Sequence, residues 1–438
     1  MSKVNRSAAM VKFLVASIIG ITVFFIPIVN EKTPLVWLIG FLKKLFGSAL
    51  APMVVVLIGL IAVTAVLSFS NKFPKLQKFY ENDGVISKIM FVLALVFGIM
   101  ILTGNAPRAI MNPNVGPLSL SLTASVFLTV TSAGMLIIFI SEFGLLQMIG
   151  TLIEPIMRPL YKLPGYAALD GITSFVCAPA VGVFLTNKLY VNKLYTSREA
   201  ASIATNFSVC SLGFFLVLCE WGKIPHLYTE VVLTSFITVF LIAPIIIRIP
   251  PISLIANNYI DGTPFVENKE KISYSGIFGR ALDSALDAAA SVQNAIYIDA
   301  IKSSFIFGVK IAGYVLCIAT ISLFLAEETP IFTWIGLPMV PILNLLGIPN
   351  ATEAAPSILV GITEIGMPVL LLAGKNVAEA TVFFVVTLST TQIIFFTESA
   401  NAIMESNIPL GFTQLVIIFL ERTALSMPII AIATHILF

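Results

Sequence analysis

Nine stretches of this sequence stay apolar over the length a helix needs to cross a bilayer, about 17–25 residues. They lie near 10–28, 48–69, 85–103, 118–140, 198–219, 229–248, 303–326, 377–397 and 411–436. Runs of this length leave few folds open, because inside lipid every backbone N–H and C=O must be satisfied within the protein. The composition agrees: 58% of residues are hydrophobic and 11% charged, where a soluble chain carries about 25% charge. The expected fold is an all-α polytopic membrane protein with about nine spanning helices. Lys3, Arg6 and Lys12 precede the first run, but further spans follow, which makes it a membrane helix and not a cleaved signal.

Other apolar pieces do not read as plain spans. Residues 33–47, with Lys43 and Lys44, 144–162, with Glu154, Arg158 and Lys162, and 331–347, with Pro338 and Pro341, read as helices on the membrane surface. Segments 165–190 and 351–374 are long enough to enter the bilayer, but they are rich in Gly, Pro and polar residues. Gly171-Ile172-Thr173-Ser174 leads to Ala178-Pro179, and Gly361-Ile362-Thr363-Glu364 leads to Met367-Pro368. Both segments read as re-entrant hairpins. Interrupted hydrophobic segments at matching places in two halves point to a transporter's binding site. Irregular backbone at that depth is tolerated only where it packs in protein or lines a watery cavity.

The order span, surface helix, hairpin, span, span occurs twice. Each unit makes three full crossings, an odd number, so the second unit is expected to be inverted relative to the first. The expected division is 1–117, N-terminal membrane helices; 118–248, first repeat; 249–302, linker; and 303–438, second, inverted repeat. Basic residues orient the spans: Lys72, Lys75, Lys78, Arg158, Lys193, Arg248 and Arg280 fall on the side of the N-terminus, which reads as cytoplasmic. The linker carries Asn257, Asn258, Asp261 and Lys269–Lys271. Its part from 277 to about 300 alternates like an amphipathic helix (Leu282, Leu286, Ala289, Val292), and a plain solvated linker is the alternative.

Polar groups inside membrane helices are costly, so each is a candidate site, against a background of Ser and Thr that merely join helices. Thr387, Thr391, Glu398 and Asn401 recur at helical spacing and are expected to share one face. Thr363 and Glu364 sit in the second hairpin. Asp170, Thr173 and Ser174 in the first are expected to face Asn206, Ser208 and Ser211. The substrate set is therefore Thr173, Ser174, Asn206, Thr363, Glu364, Thr387, Thr391, Glu398 and Asn401. Thr173, Asn206, Ser208 and Ser211 offer neutral oxygens suited to Na⁺, since hard cations take oxygen ligands. Proton coupling through Asp170, Glu364 or Glu398 is the alternative. Glu421 and Arg422 are adjacent in the last span and point in different directions, about 100° apart, so each needs another partner.

Other functions find no support in the residues. No HExxH, GxSxG, phosphate loop or His-centred triad is present, so an enzyme is not expected. The net charge is +2 with no basic cluster, which gives no reason to expect nucleic acid. His226 and His435 are too few and too far apart for a metal. Cys177, Cys210, Cys219 and Cys317, without CxxC spacing, read as buried thiols.

The stretches Ala178-Pro179-Ala180-Val181-Gly182 and Glu199-Ala200-Ala201-Ser202-Ile203-Ala204-Thr205-Asn206-Phe207-Ser208 resemble the nucleoside-recognition, or Gate, domain superfamily. The whole-chain order is similar to the YjiH family of bacterial membrane proteins, with an architecture like that of concentrative nucleoside transporters. Their first hairpin carries Gly-Gln-Thr-Glu; here the similar Gly361-Ile362-Thr363-Glu364 stands in the second hairpin, with Ile for Gln. The resemblance implies a secondary active transporter of a small polar solute in the cell membrane, coupled to Na⁺ or H⁺. The solute is nucleoside-like, or an amino acid or short peptide. It also implies a homo-oligomer and, as a further partner, a second small Gate-type membrane protein. A non-transporting assembly protein of the Gate type is the alternative.

Overall fold

The computed structural model describes residues 3–438 apart from 27, 29–32, 71, 81–83, 166, 169–170, 172–177, 266–275 and 373–374. Among these residues the chain is helical and forms no strand. An N-terminal group comprises α1 (Lys3–Phe25), α2 (Pro34–Phe46), α3 (Leu50–Leu67) and α4 (Val85–Thr103). The next group is α5 (Gly116–Leu136), α6 (Leu145–Tyr161), α7 (Pro179–Val191), α8 (Ser197–Phe207), α9 (Leu212–Trp221) and α10 (Tyr228–Ile246). A linker helix, α11 (Ile277–Ser291), leads to the last group. That group is α12 (Ala295–Glu328), α13 (Ile331–Gly336), α14 (Met339–Leu345), α15 (Ala351–Val360), α16 (Met367–Leu370), α17 (Glu379–Gln392), α18 (Ser399–Glu405) and α19 (Phe412–Leu437).

Among the described residues, seven helical stretches are long and apolar enough to cross a bilayer: Arg6–Phe24, Pro34–Leu67, Val85–Thr103, Gly116–Ser141, Pro225–Ile246, Ala295–Glu328 and Phe412–Leu437. These correspond to seven of the nine expected spans. Of the other two, 198–219 is broken near its middle, between α8 and α9, and 377–397 is helical as α17 only to Gln392, with α18 starting beyond it at Ser399. The expected hairpin 351–374 is a helix, a non-helical tip and a short second helix, α15 to α16. Of hairpin 165–190, the second arm is helix α7; Asp170, Thr173, Ser174 and Cys177 lie outside the described residues.

Several hydroxyls on the buried spans are satisfied by their own helices. Ser119 donates to the Val115 carbonyl (2.7 Å), Thr123 to Ser119 (2.7 Å) and Thr320 to Leu316 (2.7 Å). Small residues let α5 and α12 approach closely, the usual device where lipid provides no hydrophobic drive between helices. A Cβ added at Gly134 would lie 2.6 Å from Ser304 Cβ, and one at Gly308 would lie 2.3 Å from Thr131 Oγ1.

The linker helix is docked, not solvated. Ala281, Ala285, Leu286 and Ala289 of α11 are buried, in a cluster with Ala9 and Phe13 of α1 and Met148 of α6. Arg6 pairs with Asp283 at 2.6 Å. The amphipathic reading holds, but α11 stops at Ser291 and α12 starts at Ala295, earlier than the expected 303.

Candidate functional site

The site is built by the two helix breaks. In the second, α17 ends at Gln392 because Ile393 takes φ 64°, a left-handed conformation rare for a β-branched residue. The N–H groups that would continue the helix go elsewhere. Phe395 N–H donates to Ser399 Oγ (3.0 Å), Phe396 N–H to the Ile362 carbonyl (2.8 Å) and Thr397 N–H to the Thr363 carbonyl (3.0 Å). The break is thus hydrogen-bonded to the tip of the second hairpin. Glu398 becomes the first residue before α18, beside Glu364. This corrects the expectation of one continuous polar face: Thr387 and Thr391 lie on α17, Asn401 on α18, and Glu398 between them.

The first break lies between Phe207 and Leu212. The helix before it starts with a capping box, with Glu199 N–H donating to Thr196 Oγ1 (3.2 Å) and Thr196 N–H to Glu199 Oε2 (2.9 Å). Ser208 closes α8, and Ser211 Oγ accepts from Phe214 N–H (3.3 Å) to start α9.

A cavity of about 290 Å³ lies where these parts meet. Glu364, Thr397 and Glu398 line it from the last group, Pro179, Cys210 and Ser211 from the preceding one, and Lys43 from α2. Glu398 Oε1 accepts from Ala180 N–H (3.1 Å) at the start of α7. Glu364 Oε2 accepts from Gly366 N–H (2.5 Å) and Met367 N–H (3.1 Å). Helix starts present unsatisfied N–H groups and favour negative charge, so each carboxylate is held by backbone donors. Trp221, which faces Gly366 closely enough that an added Cβ would lie 2.5 Å from its ring, also lines a wider depression of about 470 Å³ with Lys223, Lys375 and Glu379.

Of the residues singled out from the sequence, Glu364, Glu398 and Ser211 line this cavity. Thr363 is buried; its hydroxyl donates to the Val360 carbonyl (2.8 Å). Thr391 Oγ1 donates to Leu388 (2.9 Å). Asn401 Nδ2 donates to the Phe396 carbonyl, and its Oδ1, like Thr387 Oγ1, is buried without a partner among the described residues. Asn206 and Ser208 are buried at the first break, away from the cavity wall. Thr173 and Ser174 lie outside the described residues.

Sequence reasoning missed three contributors. Lys43 read as a surface lysine, yet α2 runs through one tight turn into α3 and carries it to the cavity; its place inside a long apolar stretch was the signal. Cys210 and Thr397 lack a distinctive sequence signal. Arg422 is fully buried, and its partners are oxygens of neutral groups on both broken helices, at 2.8–3.1 Å. As expected, it does not pair with Glu421, whose Oε2 has no partner among the described residues.

Fold and cavity together define a multi-pass, all-helical membrane protein with a polar site at two broken helices. Residues 123–222 match the family model described as nucleoside recognition, the Gate domain. Over 440 residues the chain is 31% identical to an uncharacterized protein of Alkalihalophilus pseudofirmus, covering 98% of this chain and 94% of the relative. The chain belongs to the family of that relative, membrane proteins that carry the nucleoside-recognition Gate domain. No solved structure matches it.

Proposed function

We propose that this chain is a secondary transporter and that the cavity at Glu364 and Glu398 binds its solute. The observation that carries this reading is the meeting of two carboxylates with two interrupted helices and a hairpin tip at one small cavity. Such backbone is costly at membrane depth unless it lines a working cavity. A volume of about 290 Å³ sits at the low end of ligand sites, about 300–1,000 Å³. It suits a nucleoside-like molecule or an amino acid better than a longer peptide. The carboxylates accept from the solute's hydroxyl or amino groups, and Ser211 and Thr397 add neutral contacts.

The nucleoside-recognition match over 123–222 and the YjiH-like order of elements support the same reading. So does the recurrence of span, surface helix, hairpin, broken helix and span in residues 118–248 and 303–438. In this proposal the two units are inverted repeats, the N-terminus is cytoplasmic in a cell membrane, the protein is a homo-oligomer, and an ion gradient drives transport.

A thermal-shift screen of the purified protein against nucleosides, amino acids and dipeptides tests the solute, because a ligand of the native state raises apparent stability. One ligand class is expected to stabilise the wild type and not Glu398→Gln. No stabilisation by any class would favour an assembly role. Labelling of single Cys residues from each side should reach hairpin 165–190 from the cytoplasm and hairpin 351–374 from outside. Labelling of both from one side would overturn the inverted repeat. Uptake into proteoliposomes under an imposed Na⁺ or pH gradient identifies the coupling ion.

A further inference from the structure

A positive charge buried inside a membrane span normally needs a carboxylate or water. Arg422 has neither among its described partners. Its Nε donates to the carbonyls of Thr391 (3.1 Å) and Gln392 (3.1 Å), its Nη2 to Thr391 (2.8 Å) and its Nη1 to Asn206 Oδ1 (2.8 Å). The Thr391 and Gln392 carbonyls end α17. In an unbroken helix they would accept from the N–H groups of Phe395 and Phe396, which here bond Ser399 Oγ and the Ile362 carbonyl. The break therefore frees the Thr391 carbonyl for the guanidinium, which also shares the Gln392 carbonyl with the Ile394 N–H (2.7 Å). A helix C-terminus carries partial negative charge and favours a cation.

The first break contributes from the other side. Asn206 lies at the end of α8, and its Nδ2 donates to the Ser202 carbonyl (2.8 Å), which aims its Oδ1 at Arg422. Two helix C-termini thus converge on one positive charge through neutral oxygens only. Neutral carbonyl oxygens are also the ligands a hard metal cation selects.

We propose that Arg422 is a resident cation. It fills the junction where Asn206 and the helix-end carbonyls meet, so this junction takes no Na⁺, and one tethered charge ties both broken helices to α19. The proposal deepens the transport reading, because it removes the Asn206 junction as a site of Na⁺ coupling, but its test needs no transport.

The test is the melting temperature of the purified full-length protein in NaCl and in choline chloride at equal ionic strength. The wild type is expected to melt at one temperature in both. Arg422→Ala is expected to melt lower, with part of the loss restored by millimolar guanidinium or Na⁺ and none by choline. Arg422→Lys, which keeps the charge but not the planar fork, is expected to fall between. Na⁺-specific stabilisation of the wild type that Asn206→Ala removes would overturn the proposal. So would an Arg422→Ala protein that neither cation restores. If Arg422→Ala does not fold, the comparison of the wild type with Asn206→Ala in the two salts decides, since Arg422 is intact in both.

Discussion

The first broken helix gives way between Phe207 and Leu212, the second between Gln392 and Ser399. They differ in what they bring to the cavity. The second supplies Glu398 directly and, through its pairing with the hairpin tip, fixes Glu364. The first supplies no charge, with Cys210, Ser211 and Phe214 lining the cavity, while the nearby start of α7 donates an N–H to Glu398. They also begin differently. The helix before the first break is closed by Thr196 and Glu199, with Arg158 bridging Glu199 (2.5 Å) and Glu154 (2.9 Å). The second has Ala378 at that place, and Asn350 reaches over from the turn before α15 to accept its N–H (2.8 Å). Similar architecture thus carries two carboxylates in one half and neutral groups in the other.

The largest effect should come from cutting a side chain that serves both breaks. Arg422→Gln removes four hydrogen bonds and strips the buried Thr391 carbonyl and Asn206 Oδ1 of their charged donor, at a cost of about 3–5 kcal/mol. Thermal denaturation in detergent reads it, and a loss under about 1 kcal/mol would mean the junction relaxes without its cation.

The two similar glycines separate the halves next. A Cβ at Gly361 would lie 2.4 Å from Gln392 Oε1, and Gln392 cannot yield, because its Nε2 is bonded to Ile358 (2.8 Å) and Thr423 (2.9 Å). At Gly171 the nearest atom among the described residues is Phe207 Cβ at 3.2 Å. Gly361→Ala is expected to destabilise by about 3 kcal/mol, the upper range for overpacking, and Gly171→Ala by much less. Equal melting temperatures for the two variants would break the contrast.

For the solute that the screen identifies, Glu364→Gln and Glu398→Gln are each expected to weaken binding by about 1–3 kcal/mol. Ser211→Ala, on the uncharged side, should fall at or below the lower end. Titration of the purified variants measures this, and a larger loss at Ser211 than at either Glu would reverse the division of labour.

The smallest effect is at the helix starts. Thr196→Ala should cost about 1 kcal/mol, the value of a lost side-chain cap. Ala378→Ser should change little, since Asn350 already satisfies that end. Urea melts of the two variants compare them.

Some of this was readable in the residues themselves. Apolar runs and polar interruptions carry spans and hairpin segments, because lipid punishes any other arrangement. The period of Leu282, Leu286 and Ala289 marked the linker helix, although not that it docks on α1. Thr196-x-x-Glu199 is a legible cap. The break at Ile393 was not legible: no Gly or Pro marks it, and the spacing of Thr387, Thr391, Glu398 and Asn401 fits an unbroken helix.

What the sequence determined alone was therefore the solvent, most of the helices and the presence of Glu364, Glu398 and Arg422 in apolar surroundings, since hydropathy and charge are local properties. What only the tertiary structure decided was where two helices stop. The hairpin tip outbids the helix for the Phe396 and Thr397 N–H groups, and Arg422 binds the carbonyls at the end of α17. Those exchanges join residues far apart in the chain, and only the fold brings them within bonding distance.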